Sequence, residues 1–525
     1  MADFAIVTEI FYSGAWHNIS GDVRNRDPVS IERGARDESA NVRPGRLTFT
    51  LNNGRSNVNG AVVGRYTPRN PRSDLFGLIG RNTPVRQSIQ GHRRFTGEIS
   101  EWPTRWDLAA TEIWIGVQAY GILRRLGQGG GKPIVAALKR RLLAVGADAY
   151  WPLDAGELAG QVGEPALGSH RFELAQGVPQ FGRAELAAWA GPGLTLRVET
   201  TASGMVEQPA SGIAQWTAEM FCRFSEGPAT TNDQDSAVQT EWILHGNGTP
   251  AWEWRIQTNS LNFLGTGPTL TLVFDDTSVG GAGVVEIIAT TGPVLGGPNL
   301  ADGLLHHVLL TVTDEGAVVN ATVTVDNVVV LDEDYTTATS LQGVGLSEFH
   351  YRPDAPTEID DLPALTIGHV AHRHSVAGAL ASTAFAGVGY FGEAAGRRIE
   401  RLCAEEAIPF ASEGNLDATE LLGQQQIGPI LTLFDQAADA DGGILYEDRQ
   451  VAGLIYATLG SLYNRAPVLE LDYRSGHISP PFDPTDDDQQ LVNDATAKRI
   501  DGGERRVVKA TGPLSIEAPP VGVGR

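Results

Sequence analysis

Short segments in which apolar and polar residues alternate recur every ten to fifteen residues across the middle of this chain. Gly, Pro, Asn and Asp separate them, and little between positions 147 and 392 has the helical period. This spacing, sustained over about 245 residues, favours a two-sheet β-sandwich. The strands expected in this region are Trp216–Arg223, Glu241–His245, Trp252–Gln257, Leu270–Phe274, Val284–Ala289, His306–Val312, Ala321–Val325, Leu365–Gly368 and Ala386–Phe391.

The first 120 residues also predict β-structure. Between Asn52 and Val85 a long loop rich in Arg, Asn, Pro and Gly interrupts the alternation. The period then becomes helical, with Ile134, Ala137, Leu138, Leu142 and Val145 on one face and Pro133 suited to the first turn. The strands expected here are Phe4–Val7, Leu47–Leu51, Val85–Ile89, Phe95–Ser100 and Glu112–Ala119.

The last part of the chain predicts mixed α and β structure. Ile399, Leu402 and Cys403 mark one helix, and a second is expected to end at Asp441-Gly442-Gly443, where glycine supplies a left-handed cap. The segments Ile444–Tyr446 and Leu454–Ala457 are then expected to pair as a hairpin.

Charge is unevenly distributed along the 525 residues, a length that predicts several domains. Residues 1–145 contain 21 Lys+Arg and 12 Asp+Glu, whereas the other 380 contain 19 and 51, which together give the net charge of −23. We therefore place a boundary near residue 146. Because aromatic and basic residues do not interleave, we expect the basic segment to face an acidic protein neighbour and to have no nucleic-acid specificity.

Cysteine use and hydropathy narrow the class of protein. Cys222 and Cys403 are compatible with one disulfide or with two buried thiols. The first ten residues lack a basic start and a long apolar run, so no signal peptide is expected, and no apolar stretch predicts a membrane span.

Several motifs suggest chemistry and fail its requirements. Gly127–Pro133 lacks the first glycine and the Ser or Thr of a phosphate-binding loop. His369, His372 and His374 would form either a metal cluster or a polar loop. Glu358–Asp361 resembles the start of a glycosidase pair, but Leu362 and Pro363 occupy the place of the second Glu. No catalytic or cofactor-binding residue is predicted.

Two further groups leave alternatives open. Asp483 with Asp486–Asp488, and likewise Asn232, Asp233 and Asp235, would either bind calcium or form solvated loops. Trp252 and Trp254 share a strand face and would either stack on a sugar or pack in a core.

Several segments resemble tail-tip hub proteins (minor tail proteins) of long-tailed phages that infect actinobacteria. The outer segments that carry the resemblance are TFTLNNGRS…YTPRNPRSDLFGLIGRNTPVR, GQQQIGPILTLFDQAADADGGILYEDR…GLIYATLGSLYN and LELDYRSGHISPPFDPTDDDQQLVNDATAKR. The middle segments AYWPLD, WTAEMFCRF, LADGLLHHVLLTV and GYFGEAAGRRIERL resemble a laminin-G-like, concanavalin-type jelly roll.

The resemblance implies a mainly β chain with minor α in three domains. A β-barrel or sandwich hub domain would span 1–146, an inserted jelly-roll sandwich 147–392, and an α+β second half of the hub 393–525. It further implies a homotrimer in the virion tail tip, beside the distal tail protein, the tape measure protein and other tail-tip proteins, with the jelly roll touching a host surface glycan.

Arginines of the long loop are the residues we expect at an inter-subunit contact: Arg65, Arg69, Arg72 and Arg81. Two other functions stay open. One is a carbohydrate-binding adhesin or peripheral tail fibre, and the other is a glycan hydrolase, which would need the carboxylate that Glu358–Asp361 lacks.

Overall fold

The computed structural model is mainly β. It describes residues 5–35, 42–54, 63–109, 112–128, 136–157, 162–176, 180–196, 200–207, 213–224, 240–246, 252–259, 269–276, 284–292, 296–300, 302–316, 318–335, 344–351, 365–375, 385–463, 465–482, 491–498 and 503–524. The predicted fold class, mainly β with few helices, is confirmed.

In the described residues the elements are mostly short strands, with five short α-helices. The N-terminal strands are β1 Ile6–Tyr12, β2 Ala15–Asn18, β3 Ser30–Gly34, β4 Arg43–Asn52, β5 Thr83–Ile89, β6 His92–Glu101, β7 Thr104–Trp106 and β8 Ile113–Tyr120. The middle strands are β9 Ala149–Trp151, β10 Val162–Gly163, β11 Phe172–Gln176, β12 Gln180–Ala187, β13 Gly191–Leu196, β14 Thr200–Met205, β15 Gln215–Phe224, β16 Thr240–Gly246, β17 Trp252–Asn259, β18 Thr269–Asp276, β19 Val284–Thr291, β20 His306–Asp314, β21 Val319–Val325, β22 Val328–Tyr335, β23 Val344–Tyr351 and β24 Leu365–Arg373. The C-terminal strands are β25 Phe410–Glu413, β26 Ile444–Glu447, β27 Leu454–Ala457, β28 Asp494–Lys498 and β29 Glu504–Val508. The helices are α1 Ile122–Leu126, α2 Ala137–Val145, α3 Ala395–Glu405, α4 Ile430–Asp441 and α5 Leu459–Tyr463.

The N-terminal strands form one antiparallel sheet in the order β2-β1-β5-β6-β8-β4-β3, with β7 paired to β8. The predicted strand Leu47–Leu51 lies inside β4, and its alternate residues Leu47, Phe49 and Leu51 are buried in the core of this sheet. The period-2 pattern is therefore confirmed, because one face of β4 is covered and the other is half exposed.

The loop between β4 and β5 is built into that core where the structure describes it. The Asn53 side chain accepts a hydrogen bond from the backbone N–H of Tyr66 at 2.8 Å and donates one to Thr67 Oγ1 at 3.0 Å. The Tyr66 hydroxyl donates to Asp22 at 2.6 Å, and Leu75 is buried with it. These contacts hold the described part of the loop, residues 63–82, as a packed surface structure.

The middle strands form two antiparallel sheets. The first sheet has the order β10-β11-β14-β23-β16-β17-β18-β19, and the second sheet has the order β12-β13-β24-β15-β20-β21-β22, with β9 paired to β24. Both contribute to one core, in which the rings of Trp216 and Trp252 stack with centroids 6.0 Å apart. The largest core side chains are Trp151, Trp216, Trp242, Trp252, Trp254, Phe172, Phe274 and Phe349. The predicted two-sheet sandwich is thus present.

A buried ion cluster lies on the far face of the second sheet. Glu219 on β15 is fully buried, accepts from Arg373 Nη1, and faces His307 Nε2 at 2.8 Å. Helix α2 contributes Leu138 and Leu142 to an apolar cluster that includes Phe221, two residues from Glu219 on β15. We call Glu219, His307 and Arg373 the buried triad, because each is at most 5% exposed.

His369 and His372 lie on β24, which is buried along its whole length, so the predicted polar loop is wrong for them, whereas His374 follows the strand and is half-buried. His369 bridges the Tyr150 hydroxyl at 2.8 Å and the Ala190 carbonyl oxygen at 2.9 Å, whereas His372 packs edge-on against Trp151 in the core. Burial lowers the pKa of His372 to about 3, so this ring is neutral. The sequence does not reveal this, because a strand buried on both faces has no alternation.

The C-terminal helices follow the prediction. Helix α3 buries Ile399, Leu402 and Cys403, and α4 ends at Gly442, whose φ of 74° gives the expected left-handed cap. Strands β26 and β27 are neighbours in a sheet with β25. Cys222 and Cys403 are buried free thiols, in agreement with the second of the two alternatives.

The predicted strand Ala386–Phe391 is wrong. Residues 385–387 make a helical turn, and the chain then turns through positive φ values at Gly389, Tyr390 and Gly392. Three left-handed residues within four positions cannot extend as a strand.

The chain divides into two compact units. Unit 1 comprises Met1–Gly121, Tyr446–Ala452 and Leu459–Arg525, and unit 2 comprises Ile122–Leu445 and Gly453–Thr458. These limits differ from the predicted 146/147 and 392/393, because α2 and α3 are both counted with the sandwich. The scheme of three domains stays a prediction.

The net charge is distributed differently between these two units than between the predicted domains. Unit 1 contains 24 Lys+Arg and 24 Asp+Glu, whereas unit 2 contains 16 and 39, so the entire net charge of −23 belongs to unit 2. The predicted basic N-terminal segment owes much of its excess to α2 and its surroundings, where Lys139 pairs with Asp154, and Arg140 pairs with Glu405 and Glu406. Those cations are neutralised within unit 2.

Unit 1 is assembled from both ends of the chain. The backbone N–H of Gly45 donates to Glu447 Oε2 at 2.8 Å, and the Thr96 hydroxyl donates to the Arg449 carbonyl oxygen at 2.8 Å. A Cβ at Gly45 or Gly121 would collide with the Glu447 carboxylate. Glycine at these two positions therefore leaves room for a residue that is distant in sequence.

Some predicted sites fall outside the described residues: Pro133, Asn232, Asp233, Asp235, Glu358–Asp361, Asp483 and Asp486–Asp488. Among the residues that are described, no helix is long and apolar enough to cross a membrane.

Candidate functional site

The outward face of the first sheet carries a row of charged side chains on four neighbouring strands, β23, β16, β17 and β18. On β17, Trp252, Trp254 and Ile256 enter the core, so the residues between them face outward. We call this row the polar ladder; its members are Glu241, His245, Glu253, Arg255, Gln257, Asp275, Glu348 and His350.

His245 joins two strands of the polar ladder to its own. Its Nδ1 lies 3.1 Å from Glu253 Oε1 on β17, and its Nε2 lies 3.1 Å from Glu348 Oε2 on β23. Register places Glu253 directly opposite His245 and Glu348 at the diagonal position, two residues beyond the Leu346 that pairs with His245. Both ring nitrogens therefore face carboxylates.

Arg255 holds the other side of Glu253. Its Nε and Nη2 donate to Glu253 Oε2 at 3.1 and 2.6 Å, and Nη2 also donates to Asp275 Oδ2 at 2.9 Å. The second oxygen of Asp275, Oδ1, is buried and has no hydrogen-bond partner in the described part of the chain. An unsatisfied buried acceptor costs free energy.

Glu241 and His350 complete the polar ladder. His350 Nε2 lies 2.7 Å from Glu348 Oε1, and its Nδ1 lies 4.0 Å from Glu241 Oε2. Gln257 Nε2 donates to Glu241 Oε1 at 2.8 Å. Contacts of 3.1 Å or less join His350 through Glu348, His245, Glu253 and Arg255 to Asp275, and the pair of Glu241 and Gln257 lies beside this network at 4.0 Å from His350.

The network perturbs the pKa values of its members. Burial alone would lower the pKa of His245, but its hydrogen bonds with Glu253 and Glu348 raise it to about 9. The hydrogen bond with His245 lowers the pKa of Glu253 to about 2, and those with His245 and His350 do the same for Glu348. At neutral pH His245 is thus protonated between two ionised carboxylates.

The polar ladder is partly exposed to solvent. The side chains of its seven ionisable residues are between 8% and 25% exposed, more than the buried triad and less than ordinary surface charges. Polar groups that are already held by hydrogen bonds to one another can bind a polar ligand without large ordering costs. No group of three or more His, Cys, Asp or Glu among the described residues is arranged to hold a metal ion.

The aromatic residues proposed for sugar stacking are not available to a ligand. Trp252 and Trp254 are 3% and 1% exposed and belong to the core between the two sheets. The structure supports the alternative of core packing, because both indoles point away from the polar face of β17.

The four arginines proposed for inter-subunit contact separate into two groups. Arg65 is only 7% exposed and makes a bidentate pair with Asp74, so it stabilises the loop rather than facing a partner. Arg69, Arg72 and Arg81 are exposed. The inter-subunit contact stays a prediction for these three residues.

The residues of the polar ladder were not predicted. Their signal is present, because Glu253-Trp254-Arg255-Ile256-Gln257 alternates charged and apolar residues, as does Glu348-Phe349-His350. The pairing of these strands is what brings their polar positions together, and strand order cannot be read from alternation alone.

Comparison with known proteins gives no family. No protein-family model matches the sequence. No curated protein matches it either.

Solved structures with some likeness were found. They include the receptor-binding domain of botulinum neurotoxin mosaic serotype C/D, at 11% identity and TM-score 0.28, covering 43% of this chain and 47% of that one. The Emp46p carbohydrate recognition domain in its metal-free form matches at 9% identity and TM-score 0.27, covering 39% and 88%. A mutant of alginate lyase Aly36B with an alginate trisaccharide matches at 12% and 0.23, covering 34% and 81%.

The match spans about half the length of the neurotoxin domains. At these scores none of the likenesses bears on what this chain binds. The fold itself defines the class of protein: the middle of the chain is an antiparallel two-sheet β-sandwich with a partly exposed polar ladder on one face.

Proposed function

We propose that the sandwich of unit 2 is a glycan-binding module and that the polar ladder is its binding face. The observation that carries this proposal is the network of partly exposed carboxylates, histidines and one arginine across β23, β16, β17 and β18. Sugar rings present neighbouring hydroxyl groups in fixed directions, and aligned carboxylates accept hydrogen bonds from them.

Binding is favoured over hydrolysis for these residues. A glycosidase needs one carboxyl group whose raised pKa keeps it protonated as a general acid. In the polar ladder, hydrogen bonds with the histidines hold the pKa of Glu253 and Glu348 at about 2, so neither has a proton to give at neutral pH.

The experiment is a glycan array probed with the full chain. We expect wild-type protein to bind at least one glycan class and Glu348→Gln to lose about tenfold or more in affinity, because the substitution releases both histidines. Gln257→Ala removes a neutral member of the same face and is expected to lose several-fold, which guards against misfolding of the charge variant. Glu333→Gln, an exposed position on β22, is the matched control and should bind as wild type.

Binding by the wild type that persists unchanged in both Glu348→Gln and Gln257→Ala would move the site elsewhere. If the wild type bound no glycan on the array, the proposal would be wrong and the sandwich would be a spacer. Release of reducing sugar would restore the hydrolase alternative.

We further propose that the whole chain is a hub-like structural component of a phage tail tip. The outer segments that resemble such proteins support this proposal, and so does unit 1, which draws residues from both ends of the chain. In this proposal the chain forms a homotrimer beside the distal tail and tape measure proteins, with the sandwich presented to a host surface glycan.

Electron microscopy of an intact particle would test the assembly role. Three copies on the tail axis are expected for a hub. Copies only at the periphery would support a tail fibre, and absence from virions would support a free adhesin.

A further inference from the structure

The hydrogen-bonding capacity that remains on the polar ladder is mainly that of acceptors. Arg255 Nε and Nη2, Gln257 Nε2 and both ring nitrogens of His245 already face carboxylate oxygens of the network. Each carboxylate oxygen has two lone pairs, and one protein donor does not exhaust them. A ligand would therefore meet oxygens that accept, with few protein N–H groups left to donate.

Asp275 shows the same bias at a single atom. Its side chain is 8% exposed, its Oδ2 is held by Arg255, and its Oδ1 lacks a partner among the described residues. Because Oδ1 is itself buried, a ligand meets this carboxylate through its negative charge, which favours hydroxyl and ammonium groups over carboxylate, sulfate or phosphate oxygens.

Charge acts in the same direction. Glu241, Glu253, Glu348 and Asp275 contribute four negative charges, whereas Arg255 and the protonated ring of His245 contribute two positive charges. Even with His350 protonated the polar ladder keeps a net negative charge. Unit 2 as a whole carries −23, so its field repels anions at longer range.

We propose that the polar ladder selects neutral or ammonium-bearing glycans and rejects acidic ones. This specificity rests on the proposed glycan-binding function of the same face. Its ligand class is a sugar rich in hydroxyl or amine donors, and uronic acids, sialic acids and sugar sulfates or phosphates are excluded.

Matched glycan pairs isolate charge from ring shape. The full chain is assayed on tetragalacturonate and its methyl ester, on tetra-glucosamine and its N-acetylated form, and on a lactose-based trisaccharide with and without sialic acid. We expect the acidic member of the galacturonate and sialic acid pairs to bind about tenfold or more weakly than its neutral partner at 0.15 M salt, with a difference that widens at low salt because screening falls. We expect tetra-glucosamine to bind at least as well as its neutral N-acetylated form.

Glu241→Gln and Asp275→Asn each remove one negative charge from the polar ladder. Each should reduce the difference in affinity between acidic and neutral glycans by several-fold. Glu333→Gln removes one charge from the second sheet and should leave this difference as in the wild type.

The outcomes separate the two proposals. Acidic members that bind as well as or better than their neutral partners overturn the specificity and leave glycan binding intact. Neutral preference that Glu241→Gln and Asp275→Asn leave unchanged also overturns it, because the polar ladder would not be its source. Absence of binding to every probe overturns both proposals.

Discussion

The sandwich contains two networks of the same residue types in different surroundings. In the buried triad, Glu219, His307 and Arg373 are at most 5% exposed, and the His307 ring stacks on Phe221, a member of the apolar cluster to which α2 contributes. In the polar ladder, carboxylates, histidines and Arg255 make the same kinds of contact but keep part of their surface in water. The residue types alone therefore do not identify a binding face; the burial of their side chains does. The buried charged side chains stabilise one arrangement of the second sheet, and the partly exposed ones on the first sheet can exchange bound water for a ligand.

The largest expected difference between the two networks is in stability. Glu219→Gln leaves the guanidinium of Arg373 buried without a counter-charge and should lower the free energy of unfolding of unit 2 by about 3–5 kcal/mol. Glu348→Gln on the polar ladder should cost about 1 kcal/mol, because water can solvate the released histidines. Urea denaturation followed by tryptophan fluorescence measures both. Equal losses would show that the two networks are not differently sealed.

The loop of unit 1 offers a parallel contrast. Arg65→Ala breaks a bidentate pair with Asp74 and removes a donor to the Tyr66 hydroxyl, and we expect a loss of about 2–4 kcal/mol. Arg72→Ala, at an exposed position of the same loop, should change stability by less than about 0.5 kcal/mol. Thermal unfolding of the two variants is the measurement. A large loss in Arg72→Ala would place that side chain in a contact within the chain.

Protonation of His245 gives a smaller effect that is specific to the polar ladder. Its pKa in the folded state, about 9, lies above the ordinary value of 6.5, so its contribution is complete below pH 6.5 and is lost as pH rises through about 9. The pKa of Glu253 and Glu348, about 2, lies below 4.5, so their contribution is present above pH 4.5 and is lost as pH falls toward 2. The free energy of unfolding of the wild type should therefore decline between pH 6.5 and 9. We expect His245→Gln to reduce this decline by ~1–2 kcal/mol, since each pKa unit is worth about 1.4 kcal/mol and solvent screens part of it.

Urea titrations of wild type and His245→Gln at pH 6 and pH 9 provide this comparison. His17→Gln, on a half-exposed residue of β2, is a matched control in unit 1 and should leave the pH dependence of unit 2 unchanged. An identical decline in wild type and His245→Gln would contradict the raised pKa.

How far the sequence predicts this structure depends on whether one face or two faces of an element are covered. Alternation in β4 and the glycine after α4 predicted their structures, because a half-buried strand and a left-handed cap leave local signals. The sequence predicts only the Leu365–Gly368 part of β24 and not the buried part that contains His369 and His372, because residues covered on both faces lose the period. The run 386–391 alternates like a strand, but its tertiary setting makes it turn.

The candidate site was less predictable than the fold. One alternative for Trp252 and Trp254 was sugar stacking. They lie on β17, a strand of the candidate site, but on its core face, and the polar residues beside them belong to the polar ladder. Arg255 meets Asp275 twenty residues later and His245 meets Glu348 about a hundred residues later. Such contacts depend on strand order, which local pattern does not encode.

The central claim is that the polar ladder binds glycan while the buried triad only stabilises. Imidazole NMR of the full chain during titration with the tightest-binding array glycan tests it directly, because both networks contain a histidine. We predict that the ring signals of His245 and His350 shift with glycan concentration and that those of His307 and His369 stay in place. Saturable binding with His245 and His350 unmoved would contradict the account.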